Sequence, residues 1–155
     1  ATVAAGGGGG EMLCDAGSRG LLGGAMTEAK MAALKSAREA LARAEALVVA
    51  AIPSLGKIVS ESVKPCYDGA NDGYAGFCHG RMVVINLYPM LKAPLRKDAV
   101  HELTLTLCHE LGHLLERGAG HGPKWREAQD SLVQAVFAHC APSAKPGWTS
   151  CRCCG

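Results

Sequence analysis

Three of the chain's six histidines lie within thirteen residues, in the stretch CHELGHLLERGAGHGPKW at 108–125. His109, Glu110 and His113 form an H-E-x-x-H motif. Residues four apart share one face of a helix, so both imidazoles can reach a single metal ion. Glu110 is rotated by one position and can hold a water molecule without itself binding the metal. This pattern predicts a catalytic zinc site, which needs one more protein ligand and an open position.

The third ligand is predicted to be His121. On a continuous helix, a residue eight positions beyond His113 would lie roughly 12 Å farther along the axis, too far to share an ion. Gly118 and Gly120 interrupt the pattern and tolerate left-handed backbone conformations, so the chain can leave the helix and turn back. The predicted ligands of Zn²⁺ are therefore His109, His113 and His121, with Glu110 as the catalytic base.

The composition of the 155-residue chain indicates how the chain is divided into an arm, a domain and a tail. Residues 1–26 form a Gly/Ala-rich arm that is expected to be disordered, because it cannot bury enough apolar surface. Residues 27–141 form one predicted domain, and residues 142–155 form a tail. The net charge of +2 is too small to indicate a nucleic-acid partner by itself. No stretch approaches eighteen consecutive apolar residues, so a membrane span is not expected.

The eight cysteines permit two interpretations. Scattered thiols beside a histidine cluster favour a reduced, intracellular protein, whereas a disulfide-stapled secreted domain is the alternative. Cys108 adjoins His109 but faces another direction, which predicts a small buried apolar residue. Cys151 and Cys154 form a C-x-x-C that is either the first half of a structural zinc ribbon or a pair of exposed thiols, because such a site needs four ligands.

The spacing of apolar residues predicts an α+β domain. A helix is expected over 27–52, with Thr27 as its N-cap and an apolar stripe that either packs on its own domain or pairs in a coiled coil. Strands are expected at 57–63 and 81–88, in a small antiparallel sheet. Two further helices complete the domain, one from Asp98 through the H-E-x-x-H motif and one over 123–140.

Residues 58–139 resemble the SprT-like (Spartan-type) zinc metallopeptidases, which are related to the WLM and YgjP-like zincins. The likeness rests on HELGH followed by HGPKW, and on the order of loop, strand and PMLKAPLRKD connector before them. It implies a minimal zincin fold, the same zinc ligands and the same base. It also implies that Trp125 packs at the site and that strand 81–88 is the edge along which a peptide substrate aligns.

By this resemblance the chain is expected to be a zinc-dependent endopeptidase that uses a metal-activated water and acts on DNA-bound or DNA-crosslinked proteins. It would be nuclear if eukaryotic and cytoplasmic otherwise. A WLM or YgjP-like peptidase without DNA linkage and a non-catalytic zinc adaptor remain alternatives, because the interval from His113 to His121 is shorter than in Spartan-like members. A basic rim for DNA would comprise Lys92, Arg96, Lys97, Arg117, Lys124 and Arg126. Candidates for stabilising an oxyanion are Tyr74, Arg81, Tyr88 and His101.

Overall fold

The computed structural model describes residues 28–67, 75–92, 99–118 and 120–140. The predicted arm, the predicted tail with Cys151 and Cys154, and both predicted N-caps, Thr27 and Asp98, lie outside these ranges. In chain order the elements are helix α1 (Glu28–Ala51), a 3-10 turn (Pro53–Leu55), helix α2 (Gly56–Ser62), strands β1 (Val63–Cys66), β2 (Gly76–His79) and β3 (Met82–Asn86), and helices α3 (Tyr88–Lys92), α4 (Ala99–Leu115) and α5 (Pro123–Cys140). The architecture is α+β, as predicted.

Helix α1 packs on its own domain. Its apolar stripe is buried at Leu34, Leu41 and Val48, as are Ala37 and Ala44 between them. The helix contacts α4 and α5. Because the alanine side chains are small, the helices can approach closely, and the stripe belongs to the core of this domain.

The predicted strand at 57–63 is wrong, because this segment forms helix α2 and the strand that follows begins only at Val63. Val59 is 5 % exposed, whereas Lys57 and Glu61 are exposed. A strand would place these three residues on the same face, because its side chains alternate with a period of two. Burial of Val59 without Lys57 and Glu61 therefore favours the helix.

The sheet is mixed, so the expectation of an antiparallel sheet is wrong for one of its two pairings. The strand order is β1-β3-β2. Strand β1 runs parallel to β3, and β2 runs antiparallel to β3. Most of β1 and all of β2 lie in the segment that the sequence patterns assign to a glycine-rich loop. Strands of four residues are too short to show the period-two pattern that reveals longer ones.

Strand β3 is central in the sheet, which overturns its predicted role as the substrate edge. Val83, Val84 and Ile85 are completely buried, so both faces of the strand are covered. Its backbone pairs with β1 on one side and β2 on the other. In the part of the sheet that the structure describes, the free edge nearest the histidine motif belongs to β2.

Helices α4 and α5 form the rest of the core. Leu103, Leu107 and Leu111 bury one face of α4, which contacts α1, α5, β2 and β3. Leu132 and Val136 of α5 join the same core. Among the described residues, no helix is both long and apolar enough to cross a membrane.

Candidate metal centre

The three predicted histidines come together at one point. The ligand nitrogens of His109, His113 and His121 all lie within 4.8 Å of one another. The Nε2 atoms of His113 and His121 are 3.2 Å apart. In a tetrahedral zinc site with Zn–N distances of about 2.0–2.1 Å, two ligating nitrogens are roughly 3.3–3.4 Å apart. The closest pair of imidazoles therefore already has the spacing that one small cation requires.

A glycine turn brings His121 back to the helix, as predicted. Helix α4 ends at Leu115, and the Glu116 N–H still donates to the Gly112 carbonyl at 2.9 Å. Gly118 and Gly120 then adopt φ angles of +77° and +55°. Glycine enters this left-handed region at little steric cost, because it has no Cβ atom. The two positive-φ positions reverse the chain within one short loop before α5 starts.

Trp125, which was expected to have a packing role, contacts all three histidines. Its ring centroid lies 4.7 Å from that of His109, 5.0 Å from that of His113 and 4.6 Å from that of His121. Its indole N–H donates to the His109 carbonyl at 3.3 Å. Trp125 is only 7 % exposed. A rigid indole thus supports the imidazoles from the protein side.

Gly112 makes room for that indole. A Cβ atom at this position would lie 3.2 Å from Trp125 Nε1 and 3.4 Å from its Cδ1. The first of these contacts is tighter than ordinary van der Waals packing, so a larger residue would require the ring to shift by a few tenths of an ångström. The glycine inside H-E-L-G-H therefore lets the indole lie close to the helix, a role that sequence analysis did not assign to it.

Two of the three histidine rings are shifted toward their neutral forms. Burial lowers the pKa of His109, the side chain of Gln129 opposes this shift, and the neighbouring His121 adds to it. Burial likewise lowers the pKa of His113, as do His109 and His121. A neutral imidazole has a free lone pair for a metal, whereas an imidazolium has none. These two rings can therefore bind a cation near neutral pH.

Glu110 is a buried carboxyl group beside the cluster. Its residue is 6 % exposed, and burial raises its pKa from 4.5 to about 7. Gly76 of β2 lies against it, since a Cβ atom there would be 3.3 Å from Glu110 Cγ and 2.8 Å from the Val84 carbonyl oxygen. A carboxyl group with a pKa near neutrality can both accept and return a proton.

One open cavity joins these groups. It has a volume of about 540 Å³ and is bordered by the three histidines, by Glu110, by Gly76, Phe77 and Cys78 of β2, and by Glu116 and Arg117 after α4. Sequence analysis did not place β2 at the site, because the strand is visible only through its pairing with β3. Arg117 was predicted only as part of a basic rim.

The described members of the predicted oxyanion donors do not border the cavity. Arg81, Tyr88 and His101 are absent from its described lining, and Tyr74 lies outside the described residues. Arg117 carries the guanidinium group among the lining residues that the structure describes. It therefore takes the place of those residues as the candidate donor.

The cysteines follow expectation only in part. Cys108 is fully buried and free, as predicted, and burial raises its pKa to about 12. Cys78 is also a free thiol. Cys66 is disulfide-bonded, so the expectation of reduced thiols is wrong at this position. The possible zinc ribbon at Cys151 and Cys154 lies outside the described residues.

The donor set fits zinc. Three imidazoles converge without a fourth protein ligand among the described residues, which is the arrangement of an open catalytic site, whereas structural sites close with four ligands. No family model, curated protein or solved structure matches the chain.

Proposed function

We propose that this protein is a zinc-dependent endopeptidase. The proposal rests on one observation: three histidines and one buried carboxyl group border the same open cavity. His109, His113 and His121 would hold the ion. A purely structural site would not require Glu110, whose burial is unfavourable when the carboxyl group is ionised.

The chemistry divides between the metal and the side chains. A bound zinc ion supplies an acidified water and polarises a carbonyl group. Glu110 would accept the proton from the attacking water, because its carboxyl group borders the same cavity as the three histidines. The carboxyl group then returns that proton to the leaving amine. Arg117, at the rim of the cavity, is available to bind a substrate carbonyl or carboxylate.

Strand β2 is the place where an extended peptide would align. It is an edge strand of the described sheet, and Gly76, Phe77 and Cys78 border the cavity. An edge strand offers backbone groups that can bond to another chain. Phe77 is 38 % exposed, so it adds an apolar contact. The peptide backbone would thereby be held beside Glu110.

The DNA-linked substrate rests on the resemblance to SprT-like peptidases. Arg117, Lys124 and Arg126 are exposed next to the metal centre and would supply part of a basic rim. Arg96 and Lys97 lie outside the described residues, as does the side chain of Lys92. We include DNA-bound proteins among the proposed substrates, which would place the chain in an intracellular compartment, the nucleus in a eukaryote.

Zinc content and peptide cleavage test the proposal together. The purified chain is expected to hold about one zinc ion per chain, as three convergent imidazoles would bind it, and His121→Ala is expected to weaken that binding. Glu110→Gln should keep the zinc while abolishing cleavage of a protein crosslinked to DNA, because it removes the base and not a ligand. Lys35→Ala is a suitable control, since Lys35 is an exposed residue of α1.

The outcomes separate the alternatives. Cleavage that DNA stimulates, with a salt-dependent affinity for DNA, supports the DNA-linked substrate. Cleavage without any effect of DNA indicates a peptidase of the WLM or YgjP-like kind. Zinc binding without hydrolysis indicates an adaptor, and a zinc content that His121→Ala leaves unchanged contradicts the three-histidine site.

A further inference from the structure

Helix α5 carries a second residue that faces the metal centre. Gln129 follows Trp125 by four positions, so the two side chains lie on one face of the helix. The backbone nitrogen of Gln129 lies 3.5 Å from the position of a Cβ atom added at Gly112. A separate cavity brings Gln129 together with His109 and Glu110. Gln129 therefore lies on the side of His109 that is turned toward α5.

The amide oxygen of Gln129 is a buried acceptor. Gln129 Oε1 makes no hydrogen bond of strict geometry. A buried polar atom without a partner is unfavourable and calls for an explanation. Among the described residues that line its cavity, the Thr106 hydroxyl already donates to the Glu102 carbonyl at 3.0 Å. The side-chain donors that remain there are a ring nitrogen of His109 and, only while it is protonated, the Glu110 carboxyl group, since Leu105 and Val133 are apolar. The ring nitrogen carries its proton in both the neutral and the charged form of the imidazole, so it is the donor that is always present.

The chemistry of the two side chains determines which atoms pair. The amide oxygen of Gln129 can only accept a hydrogen bond, and the imidazole nitrogen that does not bind a metal carries a proton that it can donate. The two side chains border the same cavity, and the amide oxygen is buried there without a partner. The pairing that satisfies both groups is of the Oε1···H–N type.

We propose that Gln129 is a positioning residue that accepts a hydrogen bond from the ring nitrogen of His109 that does not hold the metal. It fixes the tautomer and the rotation of the ring, which leaves the other nitrogen free as a ligand. The proposal rests on the metal centre of the proposed function and is independent of peptide hydrolysis. Trp125 holds the backbone of His109, and Gln129 holds its ring.

Such outer partners change metal affinity about 10-fold to 100-fold when they are removed. Gln129→Leu keeps the size of the side chain and deletes the acceptor, so the Kd for zinc should rise by about that factor. Gln129→Glu keeps an acceptor at the same place and should restore affinity to within about threefold of the original protein, since a carboxylate accepts this bond at least as well. Gln134→Leu is the matched control, because Gln134 is an exposed glutamine of the same helix.

Two measurements that do not depend on catalysis test whether Gln129 supports metal binding by His109. Competition with a chromophoric chelator gives the Kd for zinc, and the visible absorption of the Co²⁺-substituted protein reports the ligand geometry. We expect a weaker Kd and an altered Co²⁺ spectrum for Gln129→Leu alone, with Gln129→Glu and Gln134→Leu close to the original protein. Thermal unfolding of each variant in chelator shows whether the fold is retained.

Other outcomes overturn the proposal. An unchanged Kd for Gln129→Leu, or an equal loss in Gln129→Leu and Gln129→Glu, excludes an acceptor role. An equal loss in Gln134→Leu shows a general effect on α5. Zinc binding that depends on Gln129 in a protein that cleaves no peptide supports this proposal and refutes only the peptidase function.

Discussion

Replacing the proposed base should stabilise the protein while inactivating it. Glu110 is 6 % exposed, and burial raises its pKa from 4.5 to about 7. The raised pKa means that the folded state disfavours the carboxylate. Glu110→Gln removes the ionisable proton and keeps a side chain of nearly the same shape. In the presence of chelator, we expect the variant to resist urea better than the original protein at alkaline pH.

The magnitude follows from the pKa. A rise from 4.5 to about 7 corresponds to about 3.4 kcal/mol, at about 1.36 kcal/mol for each tenfold change. Because the carboxyl group borders an open cavity, solvent screening reduces this figure, and we expect about 1 to 2 kcal/mol. That is a sizeable fraction of the stability of a small domain, typically about 5 to 15 kcal/mol.

The pH dependence has a definite sign. Between about pH 4.5 and pH 7 the folded state binds more protons at Glu110 than the unfolded state does, so stability falls as the pH rises through this window. Above about pH 7 the full penalty is present. The advantage of Glu110→Gln should therefore be largest at about pH 8 and fall to about half of that value at about pH 5.

Urea unfolding at the two pH values, followed by circular dichroism, measures the difference. Glu127→Gln is the control, since Glu127 is an exposed glutamate on α5. An advantage of the same size at both pH values, or one shared by Glu127→Gln, would refute the reasoning that burial of the Glu110 carboxylate opposes folding. A less stable Glu110→Gln at the higher pH would refute it as well.

Two further predictions concern the turn and a buried thiol. Gly120→Ala, at φ +55°, should destabilise the turn by about 1 to 2 kcal/mol and weaken zinc binding. Gly56→Ala, at φ −54° with its nearest contact at an ordinary 3.6 Å, should change neither; urea unfolding and chelator competition measure both. Cys108 is fully buried and has a pKa of about 12, so it should resist iodoacetamide under mildly alkaline conditions until the protein unfolds. The partly exposed Cys78 should react before Cys108. Peptide mass spectrometry locates the label, and rapid modification of folded Cys108 would contradict its burial.

The long helices α1, α4 and α5 and the histidine cluster could be predicted because their signals are local. In α4 the helical repeat sets the spacing of His109 and His113, and the following glycines indicate a turn that returns to the same face. The buried stripe of α1 and the start of α5 at a proline follow the same kind of rule. Each of these predictions depends on residues within about one or two turns of one another.

The strands could not be predicted as well because their signals are not local. The segment 57–63 alternates well enough for a strand, yet Val59 is buried while Lys57 and Glu61 are exposed, which does not fit a strand and favours a helix. Strand β2 has four residues and exists through its pairing with β3. Nothing in its sequence distinguishes it from the surrounding loop.

The sequence by itself determined the predicted metal ligands, the proposed base and the turn that joins them, since spacing along one helix is a property of neighbouring residues. Only the tertiary structure decided which strand borders the cavity and that Trp125 and Gln129 face the imidazoles. It also decided the raised pKa of Glu110. Those features depend on how α4, α5 and β2 pack together, because burial, close approach and free sheet edges arise only from contacts between distant parts of the chain.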